Sequence, residues 1–167
     1  MLLGWALALQ GQSTEGITQI HEGLAAWQAI GTPHVRAWML ALLADAYGHV
    51  GRVEDGLAAL AEALTIVDTT GGRKEEAELY RLKGELLWQA GTSAEAAACF
   101  QQALAIARRQ QAKSWELRAA MSLSRLWQRQ GRREDARQLL APIYGWFTEG
   151  FDTADLREAK QLLEELS

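Results

Sequence analysis

The sequence predicts an all-α protein built as a solenoid of antiparallel helical hairpins, and three observations predict it. The chain repeats itself every 40 residues, with Gly11, Gly51, Gly91 and Gly131 in strict register; a period of this length marks stacked supersecondary units. Around each glycine the side-chain sizes repeat as well. Seven positions earlier stand Gly4, Ala44, Gly84 and Ser124, five later Gly16, Gly56, Ala96 and Ala136, and nine later the large apolar Ile20, Leu60, Phe100 and Leu140. Finally, Ala, Leu, Glu, Gln and Arg dominate, with only two prolines and no asparagine; these are the strongest helix formers.

Residues 1 to 10 read as the end of a helix closed by Gly11, so the first repeat, about 1–31, is incomplete, by trimming or because a terminal repeat is atypical. The second helix, about Thr14 to Ile30, carries Ile17, Ile20, Leu24 and Trp27 at spacings of three and four, an amphipathic stripe stopped by Gly31. In the repeat 32–71, Thr32-Pro33 supplies an N-cap followed by a proline at the first helical position. Its helices run from about His34 to Val50 and Val53 to Thr69, and Thr70-Gly71-Gly72 ends the second.

The repeat 72–111 pairs about Arg73 to Ala90 with Ser93 to Gln110, and Thr92 with Glu95 has the spacing of a capping box. The repeat 112–151 pairs about Lys113 to Gln130 with Arg133 to Thr148. Pro142 inside the latter removes a backbone hydrogen bond, so a kink or early end is expected there. A last helix, about Thr153 to Leu166 with Asp152 as N-cap, carries Leu156, Ala159, Leu162, Leu163 and Leu166 and is expected to cover the open apolar face of the final hairpin over 152–167. No linker divides these parts, so 1–167 reads as one domain.

These residues resemble the tetratricopeptide (TPR) family. With Gly91 at the family's turn glycine, Tyr80, Gly84 and Leu87 fall on the first-helix signature positions and Ala96, Phe100 and Ala103 on the second; Leu43, Ala44, Tyr47, Gly56, Leu60 and Ala63 do so one repeat earlier. The resemblance implies a right-handed superhelix whose first helices line a concave surface. The period departs from the family's usual 34, and the terminal proline of the family pattern is missing. Repeats of 40 residues in this family are typical of bacterial signalling proteins. Residues 117–166 look like the C-terminal end of large bacterial proteins joining an ATPase module to such repeats, many with an adenylate/guanylate cyclase domain. None of that catalytic equipment is here: there is no Gly-Lys dipeptide for a phosphate loop and no pair of glycines one residue apart.

The chemistry-bearing residues are few. A net charge of −4 gives no drive towards nucleic acid or an anionic membrane. The apolar opening MLLGWALAL lacks a basic flank and is too short to span a bilayer. One cysteine, Cys99, cannot form an internal disulfide, and the absence of Asn removes N-glycosylation, so a cytoplasmic setting is expected. His21-Glu22 lacks the second histidine of a zinc-protease helix, and His34 and His49 bracket one helix. No metal, cofactor or catalytic site is expected. Cys99 reads as a packing residue, and the pairs Glu75-Glu76 and Glu164-Glu165 as solvated helix faces.

Of seven tryptophans, Trp27, Trp127 and Trp146 fall in apolar patterns and are expected in the core. The concave surface that the resemblance implies selects Trp5, Trp38 and Trp88. Its first-helix positions are Trp5, then Trp38, Ala41, Asp45 and His49, then Glu78, Arg81, Glu85 and Trp88, then Arg118, Met121, Ser122, Arg125 and Arg129. Trp5, Asp45, Glu85 and Arg125 share one register position. The groove grades from aromatic and acidic to basic, suited to a peptide or protein partner; alternatively its charges pair with one another between helices. Arg118, Arg125 and Arg129 could take a carboxylate or acidic segment. The family's clamp for chaperone C-termini is not available, because it needs Asn. The expected function is therefore a non-enzymatic interaction scaffold, or else the regulatory end of a larger signalling ATPase or cyclase acting on its own chain. Apolar surface around Leu3, Trp5 and Leu7 makes a homodimer through the incomplete repeat a further expectation.

Overall fold

The computed structural model describes residues 2–9, 12–28 and 33–167, and among them there are nine helices and no strand. They are α1 (Leu2–Leu9), α2 (Ser13–Gln28), α3 (Pro33–His49), α4 (Val53–Thr70), α5 (Glu76–Gln89), α6 (Ser93–Arg109), α7 (Lys113–Arg129), α8 (Arg133–Tyr144) and α9 (Ala154–Glu165). The roles expected for Gly11, Gly31 and Thr32 lie outside the described residues.

The register of the repeat is written into the turns. The N–H groups of Gln12, Arg52, Thr92 and Arg132 donate to the carbonyls of Leu7, Tyr47, Leu87 and Trp127 at 3.0, 2.9, 3.0 and 2.9 Å. Each bond satisfies a carbonyl that the end of a first helix would otherwise leave open. At the turns of the later hairpins Gly51, Gly91 and Gly131 take a left-handed conformation, with φ +74°, +86° and +78°, which a side chain disfavours.

Packing follows the size pattern. Ile20, Leu60, Phe100 and Leu140 are each 0% exposed, and the small residues give them room: a Cβ on Gly84 would stand 2.5 Å from the Phe100 ring. Within hairpins α1 packs on α2, α3 on α4, α5 on α6 and α7 on α8, and α2, α4 and α6 pack on the helix that follows. First helices also touch one another in the chain α1–α3–α5–α7–α9, whereas among the described residues no second helix touches another. The first helices are thus the inner row of a curved stack, and their outward-facing side chains line its concave face.

Several local expectations are corrected. The capping box does not form, because the Thr92 hydroxyl donates to the Leu87 carbonyl at 2.9 Å and finishes α5 instead of starting α6. Thr153, not Asp152, is the N-cap of α9, with extended backbone. α5 begins at Glu76, not Arg73, since Gly71 ends α4 in a left-handed turn and Gln110, at the end of α6 in the same hairpin, holds the Arg73 carbonyl. α8 ends at Tyr144, two residues after Pro142, so Trp146 leaves the helical stripe and is 58% exposed, not core. Trp27 is 39% exposed as well. Its helix of 16 residues outruns the eight of α1, about 24 Å against about 12 Å, and the antiparallel partner covers only the first turns. Trp127 is half-buried, with the Arg132 guanidinium 4.4 Å from its ring centre. Glu76 is not solvated: it is 5% exposed, paired with Arg73 at 2.6 Å, and its Oε2 has no partner.

Candidate functional site

Four first helices bring the groove residues to one face at the 40-residue spacing, but not as one open channel. At the N-terminal end the Trp5 indole N–H donates to Asp45 Oδ2 at 2.8 Å, and His49 Nε2 lies 3.8 Å from the same oxygen. Beside this pair is a largely apolar cavity of about 240 Å³, walled by Trp5 of α1, Trp38, Ala41, Leu42 and Asp45 of α3, Glu75, Glu78 and Leu82 at α5, and Trp115 and Arg118 of α7.

The middle of the face is closed by charge pairing. Arg81 is only 11% exposed at its side chain and grips Glu78 through both carboxylate oxygens at 2.8 Å, with Glu85 at 3.3 Å. Burial works against its charge, yet Glu78, Glu85 and Asp45 more than offset this and hold the guanidinium protonated, its pKa above the ordinary arginine value. Ser122 donates to Glu85 at 2.6 Å, and Arg118 joins Glu78 at 2.9 Å. These contacts tie α5 to α7 and leave little of Arg81 for a ligand. Met121, expected in the groove, is 3% exposed and belongs to the core under it.

At the C-terminal end Trp88 carries the Arg129 guanidinium 4.8 Å from its ring centre, and Arg125 pairs with Glu158 at 2.9 Å. A second cavity, of about 450 Å³, opens here between α7 and α9, lined also by Gln128, Gln161, Leu162 and Glu165.

Two groups of residues escaped the sequence reading. Trp115 lies one turn before Arg118 on the same face of α7, so its signal was present in the spacing. Glu158, Gln161 and Glu165 come from α9, which takes the place of a fifth first helix. Their signal was weak, because Glu158 follows Arg125 by 33 residues, not 40.

Elsewhere His21 and the Tyr47 hydroxyl are 2.9 Å apart, with Arg52 stacked on the Tyr47 ring at 4.5 Å. Among the described residues no group of three or more His, Cys, Asp or Glu side chains is placed to hold a metal ion. Cys99 is half-buried, and burial pushes its thiol up, away from a reactive thiolate. No described helix is long and apolar enough to cross a membrane.

Residues 35–109 match the family model of the tetratricopeptide repeat. The chain is similar in structure to the nearly identical TPR-like repeats of a chain called a kinesin light chain in Podosopora anserina, with TM-score 0.71 and 18% identity over 98% of this chain and 82% of that one. It is also similar to BtubC (BKLC) from P. vanneervenii, with TM-score 0.76 and 16% identity over 98% and 75%. At such identities the likeness speaks for the fold: an α-solenoid of TPR-like hairpins. No curated protein sequence matches this one.

Proposed function

We propose that this chain is a non-enzymatic protein–protein interaction module, and that its concave groove receives an extended segment of a protein partner. TPR folds generally serve as protein-interaction scaffolds, and the observation that carries the reading here is the pair of cavities at opposite ends of one face. Each combines a tryptophan with charged side chains, Trp38 with Asp45 and Trp88 with Arg125, and between them α5 and α7 are joined by the Arg118–Glu78 and Ser122–Glu85 contacts. Large rigid anchors beside oriented charges are what a peptide-recognising surface needs. The test is selection of a random-peptide display library on the native chain and on a Trp88→Ala, Arg125→Glu variant checked for an unchanged melt. Peptides enriched by the native chain and lost with the variant support the reading, and a library enriched for nothing overturns it.

A second reading is that the chain is the regulatory C-terminal part of a larger bacterial signalling protein, an ATPase or nucleotide cyclase, working on its own chain in the cytoplasm. The likeness of residues 117–166 to such proteins favours it. Immunodetection of the natural protein decides: a product well above 18.4 kDa supports this reading, and one at that mass opposes it. Pairing of two copies across α1 is favoured by Leu3, which is 65% exposed, and concentration-dependent mass by light scattering would reveal it.

A further inference from the structure

We infer that the N-terminal cavity is an anchor pocket for one basic side chain, an arginine or lysine of the partner segment; this rests on the groove reading above and names what that groove recognises. Three indoles, Trp5, Trp38 and Trp115, reach the cavity from three different helices. An indole face attracts a cation, and the aliphatic stem of Arg or Lys covers apolar wall at the same time. Arg118 already stacks 5.5 Å from the centre of Trp115. Among the described residues no cation is stacked on Trp5 or Trp38.

The charge balance points the same way. Asp45, Glu75 and Glu78 border the cavity against the single cation Arg118. Glu78 is satisfied by Arg81 and Arg118. Asp45 holds the Trp5 N–H, has His49 Nε2 at 3.8 Å, and feels the Arg81 guanidinium without a direct ion pair to it. Glu75, half-exposed at the start of α5, makes no ion pair among the described residues. Among the described residues neither Asp45 nor Glu75 has an Arg or Lys ion pair at the rim of this apolar hole, where a cation with an apolar stem gains from both.

Size restricts the ligand to a side chain. The cavity, about 240 Å³, falls below the roughly 300 Å³ at which small-molecule sites begin. The opposite end of the face is not a comparable receptor for an acidic anchor, because Arg125 is paired with Glu158 and Arg129 with the Trp88 ring. An acidic side chain would have to displace those partners first.

The experiment titrates the intact chain with Nα-acetyl-Ala-Arg-Ala-amide and its Lys, norleucine and Glu counterparts, to about 10 mM because one anchor alone binds in the millimolar range. The readout is the set of indole N–H resonances, assigned by single Trp→Phe changes. The Arg and Lys peptides are expected to shift the Trp5, Trp38 and Trp115 signals and to leave Trp146 still, with norleucine weaker. Glu75→Lys, at a half-exposed helix start, is expected to weaken the Arg peptide about tenfold while the indole signals stay folded in position. Absence of any shift with Arg or Lys, or an Arg titration indifferent to Glu75→Lys, overturns the anchor. A Glu peptide that moves Trp88 in place of the others also overturns it. The groove reading fails separately, as a display library enriched for nothing.

Discussion

The Trp5 indole N–H donates to Asp45 Oδ2 at 2.8 Å, joining two residues that hold the same register position 40 residues apart. This is a lateral bond between successive first helices, and it ties the short α1 to the rest of the stack. Trp5→Phe keeps an aromatic ring, though a smaller one, and removes the donor, leaving a part-buried carboxylate short of a partner, at a cost of about 1–2 kcal/mol. Because a solenoid's stability is summed over neighbours, the loss should be local. Native-state hydrogen exchange is expected to quicken in α1 and α2 and to stay unchanged in α7; uniform acceleration would oppose this.

Two glycines of one repeat should fail for different reasons. At Gly91 a new Cβ meets nothing within 4 Å, but φ is +86°, so Gly91→Ala costs about 1 kcal/mol of backbone strain alone. At Gly84 the backbone is helical, but the Cβ would stand 2.5 Å from the ring of Phe100, which is wholly buried and has nowhere to go. Gly84→Ala is therefore the worse change, at about 2–3 kcal/mol. Urea unfolding of both variants gives the order, and the reverse order would refute the packing argument.

Gln111 repeats the turn without the glycine. Its φ is +54°, and the Ala112 N–H donates to the Ala107 carbonyl at 2.9 Å, so the turn between two hairpins makes the same bond as the turns within them. Gln111→Gly should stabilise the protein by about 0.5–1 kcal/mol, since relief of the left-handed strain exceeds the added freedom of the unfolded chain. A thermal melt that falls would contradict it.

The helical order and the interlock of small and large residues were legible because a solenoid repeats its instructions. Phe100 opposite Gly84 carries the same information as Leu60 opposite Ala44, so four weak signals add. The groove was legible only to the level of its helices. Which charges meet depends on side-chain reach across neighbouring repeats, and the pairing of Arg125 with Glu158 crosses into α9, where the 40-residue register ends. Trp27 and Trp146 misled for the same reason: each lies where an element stops short, α1 in one case and α8 in the other, and periodicity does not report its own end.

Acid should loosen the junction of α6 with α7. Glu116 is 4% exposed and accepts bonds from Arg108 at 2.9 Å and Lys113 at 2.7 Å. Burial alone would raise its pKa, but these two cations overcome it and hold the carboxyl below the ordinary glutamate value. A folded pKa below the unfolded one means stability that is fully present above about pH 4.3 and is lost as the pH falls through the folded value. Glu116→Gln is expected to cost about 2 kcal/mol at neutral pH and to differ little from the native chain near the acid end. Parallel stability curves for the two proteins across that range would sink this assignment.

Arg81 and Arg125 separate the pairing that holds the groove from the part of it a partner can use. Arg81 is largely buried with Glu78, beside the partly exposed Glu85, and its fork meets Glu78 through two bonds. Arg81→Ala leaves Glu78 with Arg118 alone and Glu85 with the Ser122 hydroxyl and should cost about 2–3 kcal/mol, with Arg81→Lys recovering only part of it, because an ammonium cannot reproduce the bidentate grip. Arg125 is 38% exposed at its side chain and its partner Glu158 is 56% exposed. Such a pair contributes under about 1 kcal/mol, so Arg125→Glu should melt within a few degrees of the native chain. If peptide binding disappears with Arg125→Glu while the melt holds, the loss belongs to recognition and not to unfolding. If Arg81→Ala is as stable as the native chain, the charge pairs around Arg81 do not contribute to the fold.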